Sequence, residues 1–243
     1  MSSEKLRNIG IICPEKNGYN YCKKIISFKG EKEVKGRKIA GNEEGNYKLY
    51  AINSGTGKIK SASGTQLLID KYDLDLIIDS GSAFSLSDNV KFYSVIMGMK
   101  AFEYDVFSTA KIEQIPDQYV TKTLTDKEKV KDKVKNYLNN NNSYNAISLG
   151  NIASGEEEVD SRIFRGLLNS RFNSPIWSNT ASSILKTAEI NEVKTLSFRV
   201  VLTTLSIGTG DKKSGSQKQG YTKLYNLIND FINDDVMAEI YSL

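Results

Sequence analysis

A helix set between two small-residue turns constrains this chain more than any other feature. The segment Ala51 to Leu86, AINSGTGKIKSASGTQLLIDKYDLDLIIDSGSAFSL, reads as strand, glycine turn, helix, buried strand and glycine turn. Leu74 to Ile78 is a short apolar run suited to a strand covered on both faces. Gly81, Ser82 and Ala83 follow at its carboxyl end, where a parallel sheet opens a ligand crevice and small residues leave backbone N–H groups accessible. Upstream, Ser54-Gly55-Thr56-Gly57 closes a strand over Tyr47 to Ile52 and starts a helix carrying Ala62, Leu67, Leu68 and Ile69 inward. The result is a βαβ unit with two small-residue loops on one rim. A P-loop reading of SGTGK fails, because that motif needs glycine at Ile52 and a hydroxyl residue at Ile59. A dinucleotide fingerprint fails too, since no G-x-G-x-x-G opens a helix.

The remaining periodicities extend this unit into one α/β domain over residues 1–243, with a mixed central sheet flanked by helices. Asn8 to Cys13 is a β-branched first strand, and Pro14 and Gly18 lead into a helix holding Tyr21, Cys22, Ile25 and Ile26. Gly30 to Gly45 reads as a hairpin or exposed connection. Tyr93 to Met97 is a further strand, and Ser108 to Val120 lacks periodicity and reads as a loop. Thr125 and Glu128 form a capping box for a helix carrying Val130, Val134, Tyr137 and Leu138, ended by Asn139 to Asn142. Ala146 to Ala153 is a strand, Ile163 to Phe172 and Ala181 to Ala188 are helices, and Arg199 to Ser206 is a buried strand. Gly208 to Gly220 is a glycine- and lysine-rich loop, and Tyr221 to Tyr241 a closing amphipathic helix.

Composition bounds the chemistry. The net charge of +4 is diffuse, with lysines interleaved among acids, so no basic stripe points to nucleic acid. No apolar run reaches the length of a membrane span. Met1 to Asn8 is charged rather than a secretory core, which predicts a cytoplasmic protein. Two cysteines, Cys13 and Cys22, are too few for a disulfide framework or a thiolate zinc site. The chain has no histidine, which excludes Ser-His-Asp and Cys-His sites and any histidine base. Acid–base work falls to carboxylates, tyrosine, lysine or cysteine, and no cofactor is expected.

The run SGTGKIKSASGTQLLIDKYDLDLIIDSGSA is similar to the core of the nucleoside phosphorylase and nucleosidase superfamily, nearest to the methylthioadenosine/S-adenosylhomocysteine nucleosidases. RNIGIICPE resembles the first strand and loop of that family, and SLGNIASGEEEV a later strand and its ligand loop. The resemblance covers roughly Asn8 to Phe107 and Asn145 to Phe231. It implies a nucleoside phosphorylase-like fold, cleavage of a purine nucleoside at its N-glycosidic bond by water or phosphate, and a homodimer. Family sites borrow a residue from a neighbouring subunit, and the aromatic segment Phe102 to Phe107 is placed to supply one.

Residue by residue, the resemblance weakens at the chemistry. The position of the family's water-activating glutamate is Gly18, and Glu15, three residues earlier, reaches inward only if the loop is re-routed. The purine-protonating aspartate follows a serine in the late strand, but Ser206 is followed by Ile207, leaving Asp211 as a substitute. Where the ribose-binding glutamate stands, this chain has Trp177, Ser178 and Asn179. Asn179 offers a hydroxyl partner without charge, and Trp177 either stacks on a base or fills the pocket. Glu158, beside Val159, holds the position of the base-stacking aromatic. Phe84 replaces a small residue after Gly81-Ser82-Ala83 and narrows the crevice. Three readings follow: a nucleosidase or phosphorylase with rearranged carboxylates, an inactive relative that binds a nucleoside or other small ligand, or a structural protein whose crevice Trp177 and Phe84 close.

Overall fold

The structure, a computed structural model, describes residues 6–106, 115–140, 147–205 and 212–243. In chain order it begins with β1 (Asn8–Cys13), α1 (Lys16–Ile25), β2 (Gly30–Val34), β3 (Arg37–Asn42), β4 (Lys48–Asn53), α2 (Lys58–Tyr72) and β5 (Leu76–Ser85). There follow β6 (Val95–Glu103), β7 (Val120–Lys122), α3 (Glu128–Asn140), β8 (Ile147–Ser154), α4 (Arg162–Phe172) and β9 (Ile176–Ser178). The last elements are α5 (Ala181–Ile190), β10 (Lys194–Leu205), β11 (Lys212–Ser214), α6 (Gln217–Asn233) and α7 (Val236–Ser242).

Hydrophobic alternation along β1 decides the layering. Ile9, Ile11 and Cys13 join a core roofed by α1 and α6, whereas Ile12 joins a second core under α2 and α5. Both faces are therefore dry, as parallel strands between helix layers require. β1 pairs in parallel with β4 on one side and β5 on the other, so the expected βαβ unit is present with β1 inserted between its strands. β2 and β3 extend the sheet beyond β4 as an antiparallel hairpin. On the far side the sheet closes on itself. β10 runs parallel to β5, β6 antiparallel to β10, β8 parallel to β6, and β9 parallel to β8 and antiparallel to β5. Mixed pairing and flanking helices match the expected fold class. No helix among the described residues is long and apolar enough to cross a membrane.

Several local expectations change. Gly81-Ser82-Ala83 is not a turn but the continuation of β5, because β10 pairs with it throughout, Gly81 opposite Arg199 and Ala83 opposite Val201. The buried face of α2 is Ser61, Gly64, Thr65 and Leu68, with Ala62, Leu67 and Ile69 only partly covered. Small residues there let the helix approach Ser54. The capping box does not form. Thr123 instead caps a 3₁₀ turn over Leu124–Asp126 by accepting from the Thr125 amide at 3.1 Å, and the Thr125 hydroxyl is buried with no hydrogen-bond partner among the described residues. The stretch Ser108 to Val120 carries a 3₁₀ turn at Asp117–Tyr119 where residues are described. Gly18 and Gly220 lie inside helices. The closing helix is two, broken at Asp234 and Asp235, the latter in left-handed backbone. Cys13 and Cys22 are both buried free thiols.

Candidate active site

Glu15 ends the loop after β1 and is the N-cap residue of α1, yet its side chain makes no cap hydrogen bond. It turns instead across the sheet edge to β5. Its Oε1 accepts from the Ser82 amide at 3.2 Å and from the Ser82 hydroxyl at 2.7 Å. Its Oε2 is buried and has no hydrogen-bond partner among the described residues. The backbone of β5 makes this possible. A Cβ on Gly81 would sit 2.9 Å from Glu15 Oε2 and 2.8 Å from Arg199 Nη1, so only glycine admits both groups.

Arg199 is the second element of the site, and it is fully buried in the middle of β10. Its Nε donates to Asp79 Oδ2 at 3.0 Å, its Nη2 donates to Asp79 Oδ1, and its Nη1 donates to Thr180 Oγ1 at 3.1 Å. Asp79, equally buried on β5, also accepts from the Ser197 hydroxyl at 2.7 Å. Burial pushes the Asp79 carboxyl above its ordinary value, against the opposing pull of the Arg199 charge and the Ser197 and Arg199 hydrogen bonds. Each guanidinium nitrogen and each carboxylate oxygen of the pair has a partner, which is the condition under which a buried ion pair is tolerated. The guanidinium thus sets a fixed positive charge behind Gly81. The sequence carried a signal for this pair: Asp79 is the one acid in β5, and Arg199 the one charged residue in the interior of β10.

The crevice lies beside Ser82. A cavity of about 110 Å³ is lined by Ser82, Ala83, Phe84, Glu158, Val159, Trp177, Ser178, Asn179 and Thr203. Seven of the residues expected to bind ligand therefore share one wall set, with Gly81 next to them on β5. Phe84 and Trp177 are register partners across β5 and β9 and meet edge to face, 6.3 Å between ring centres. Trp177 Nε1 donates to the Tyr104 hydroxyl at 2.8 Å, and that hydroxyl donates to the Glu157 carbonyl. Tyr104 packs on Phe164 and Phe172 of its own chain, and Phe102 joins the same cluster, so these two aromatics are engaged within the subunit. The three glutamates of the loop diverge. Glu158 edges the cavity, whereas Glu156 Oε1 accepts from the Lys58 amide at 2.6 Å, at the N-terminus of α2. Lys58 Nζ completes that link, donating to Glu103 at 2.7 Å and to Asp105. The expected Ser206 and Asp211 lie outside the described residues.

Comparison with known proteins settles the lineage. No family model matches the chain. It is 30% identical over 185 residues, 73% of its length and 76% of theirs, to the 5'-methylthioadenosine/S-adenosylhomocysteine nucleosidases of Buchnera aphidicola strains. The chain belongs to the nucleoside phosphorylase/nucleosidase superfamily, close to those nucleosidases. A Staphylococcus haemolyticus nucleosidase of the same name is 34% identical over 116 residues, 46% of this chain and 49% of that one. Among solved structures, the Helicobacter pylori nucleosidase with butyl-thio-DADMe-Immucillin-A superposes with a TM-score of 0.80 at 18% identity, over 95% of this chain and all of that one. Helicobacter pylori futalosine hydrolase superposes equally well, at 0.80 and 17% identity over 94% and 98%. Those two likenesses establish the fold. Against the position the resemblance gives for a glutamate, this chain has Gly18 inside α1, and its Glu15 is held by Ser82, a residue of the cavity wall.

Proposed function

We propose that this nucleosidase-family chain hydrolyses the N-glycosidic bond of a purine nucleoside of the methylthioadenosine or adenosylhomocysteine type, with Glu15 as the carboxylate that activates water. The observation that carries the reading is the Glu15 carboxylate, one oxygen tied to Ser82 and the other buried and unpartnered next to the Arg199 guanidinium. Leaving a buried acceptor unpaired costs about 1–3 kcal/mol. Such a group, bonded to the cavity-wall residue Ser82, is suited to accept a proton from a bound nucleophile. In the same reading Asn179 meets a ribose hydroxyl, Trp177 and Val159 face the base, and Asp211 or Glu158 supports charge on the leaving purine. Relatives in this superfamily have been solved with methylthioadenosine itself and with nucleoside analogues, which supports the substrate class.

The test is release of free base from methylthioadenosine, S-adenosylhomocysteine, adenosine and inosine, with and without phosphate, at high protein concentration. Release that does not depend on phosphate is the expected result. Absence of release from all four substrates would sink the reading. A second reading, a ligand-binding or structural relative without turnover, is favoured by one specific observation. The cavity of about 110 Å³ is below the roughly 300 Å³ at which small-molecule sites usually begin, because Phe84 and Trp177 occupy it. Binding without base release would select that alternative.

Ile59, Val106, Ile163 and Leu167 are exposed apolar side chains, at 81%, 42%, 86% and 39%. Ile163 and Leu167 are one helical turn apart on α4 and present one apolar face. A second copy of the chain seated on this face makes a homodimer. Sedimentation is expected to give a dimer, split to monomer by Leu167→Asp. A monomer for the unmodified chain would reject the assignment.

A further inference from the structure

The Arg199 guanidinium holds more than Asp79. Its Nη1, which would lie 2.8 Å from a Cβ at Gly81, donates past that glycine to Thr180 Oγ1 at 3.1 Å. Thr180 is 1% exposed and is the N-cap residue of α5, although its side chain makes no cap hydrogen bond. The hydroxyl instead serves the guanidinium on one side and lies 3.3 Å from the Ser178 hydroxyl on the other. The Thr180 amide also donates to Ser178 Oγ, again at 3.3 Å. The backbone of Ser178 is fixed by its place in β9. It is the register partner of Ser154 in β8, and its carbonyl accepts from the Gly155 amide at 3.4 Å. A buried charge pair on β5 and β10 is thus joined, through one threonine, to a residue of the cavity wall.

We propose that Arg199 is a positioning residue which, through Thr180, makes the Ser178 hydroxyl a donor to the ligand, and that its acceptor is a ribose hydroxyl oxygen. A hydroxyl has one proton and two lone pairs. Thr180 Oγ1 gives a lone pair to the guanidinium, and a hydroxyl that accepts from a cation is the better donor in the next bond. Its proton therefore goes to Ser178 Oγ, which accepts from the Thr180 amide as well. Both Ser178 lone pairs are then engaged on the protein side, and its own proton is left for the cavity that Ser178 lines. Ser82, Asn179 and Thr203 in the same wall are the hydroxyl and amide partners that a sugar needs. Glu158 is the one charged residue among the described residues of that wall, and it is an acid, so a neutral sugar oxygen fits there and a phosphate does not. The identity of the ligand rests on the nucleosidase reading; the chain from Arg199 to Ser178 does not.

Trp177, the only tryptophan of the chain, lines the same cavity, so its fluorescence serves to read nucleoside binding. Dissociation constants are measured in a Glu15→Gln background, where turnover is expected to be slow. Thr180→Val removes the hydroxyl and keeps the branched shape, and it is expected to weaken methylthioadenosine binding on the order of five-fold, the worth of one neutral hydrogen bond. Ser178→Ala is expected to do the same, and the two together no more than either alone, because they break one chain. Thr180→Ser keeps the hydroxyl and is expected to restore binding, which a loss of packing alone would not predict. The Ser178→Ala loss is expected to vanish for 2′-deoxy- or 3′-deoxy-methylthioadenosine, whichever lacks the accepted oxygen. Undiminished binding in Thr180→Val, an additive loss in the double variant, or a loss that persists with both deoxy nucleosides overturns the proposal. If no nucleoside binds and no base is released, the nucleosidase reading and the sugar acceptor fail together, and crystal structures of Thr180→Val and Thr180→Ser decide the positioning role alone. A Ser178 side chain that turns in the first and stays in the second upholds the link from Arg199; any other outcome refutes it.

Discussion

Glu15→Gln is expected to reduce base release by about a hundred-fold or more, the usual contribution of a positioned general base, with KM little changed. Glutamine has the shape of the glutamate, and its Oε1 can still accept from the Ser82 amide and hydroxyl that now hold Glu15 at 3.2 and 2.7 Å. What it cannot do is take a proton at the second oxygen, which sits beside Arg199 without a partner. The loss should therefore appear in kcat and in kcat/KM alike, the signature of an interaction made in the transition state. Steady-state base release by the two proteins, with matched melting temperatures, is the measurement. Equal rates would show that Glu15 is an anchor for β5 and that another group activates water.

The second large effect concerns stability. Asp79→Leu removes the carboxylate that is ion-paired and doubly hydrogen-bonded to a fully buried guanidinium. Breaking a buried pair by deleting one partner costs about 3–5 kcal/mol. For a chain of this size each kcal/mol shifts the melting temperature by about 2–4 °C, so a fall on the order of 10 °C is expected. Adding Arg199→Met should recover at least half of it, because two apolar side chains of similar volume leave no charge uncompensated. Differential scanning calorimetry of both variants checks this. A single variant that melts with the parent would mean that water reaches the guanidinium and that the pair contributes little.

These two predictions fall on residues that were unequally visible in the sequence. Glu15 was legible only as an alternative, since the loop after the first strand offered Gly18 at the expected position and a carboxylate three residues earlier. Its choice was made by the course of β5: Gly81 continues in extended backbone beside β10, which brings Ser82 amide and hydroxyl to the loop. A turn at Gly81, as the small residues suggested, would have carried Ser82 away.

The crevice walls were better served. Ser82, Ala83, Phe84, Glu158, Val159, Trp177, Ser178 and Asn179 were marked by their position after strands, and β-strand ends converge by topology in a parallel sheet. How open that crevice is depended on side-chain geometry. Trp177 lies against Phe84 and is pinned by Tyr104, a three-body arrangement that no single segment encodes.

By itself, then, the sequence determined the βαβ core, the mixed sheet, the absence of histidine and metal-thiolate chemistry, and the family. Local periodicity and residue inventory are properties of the chain alone. Tertiary structure alone decided that the Glu15 carboxylate is held by Ser82 and that an acid and a base meet behind Gly81. Each of those depends on distances of a few ångströms between strands and helices far apart in the chain, and on burial, which gives such contacts their energy.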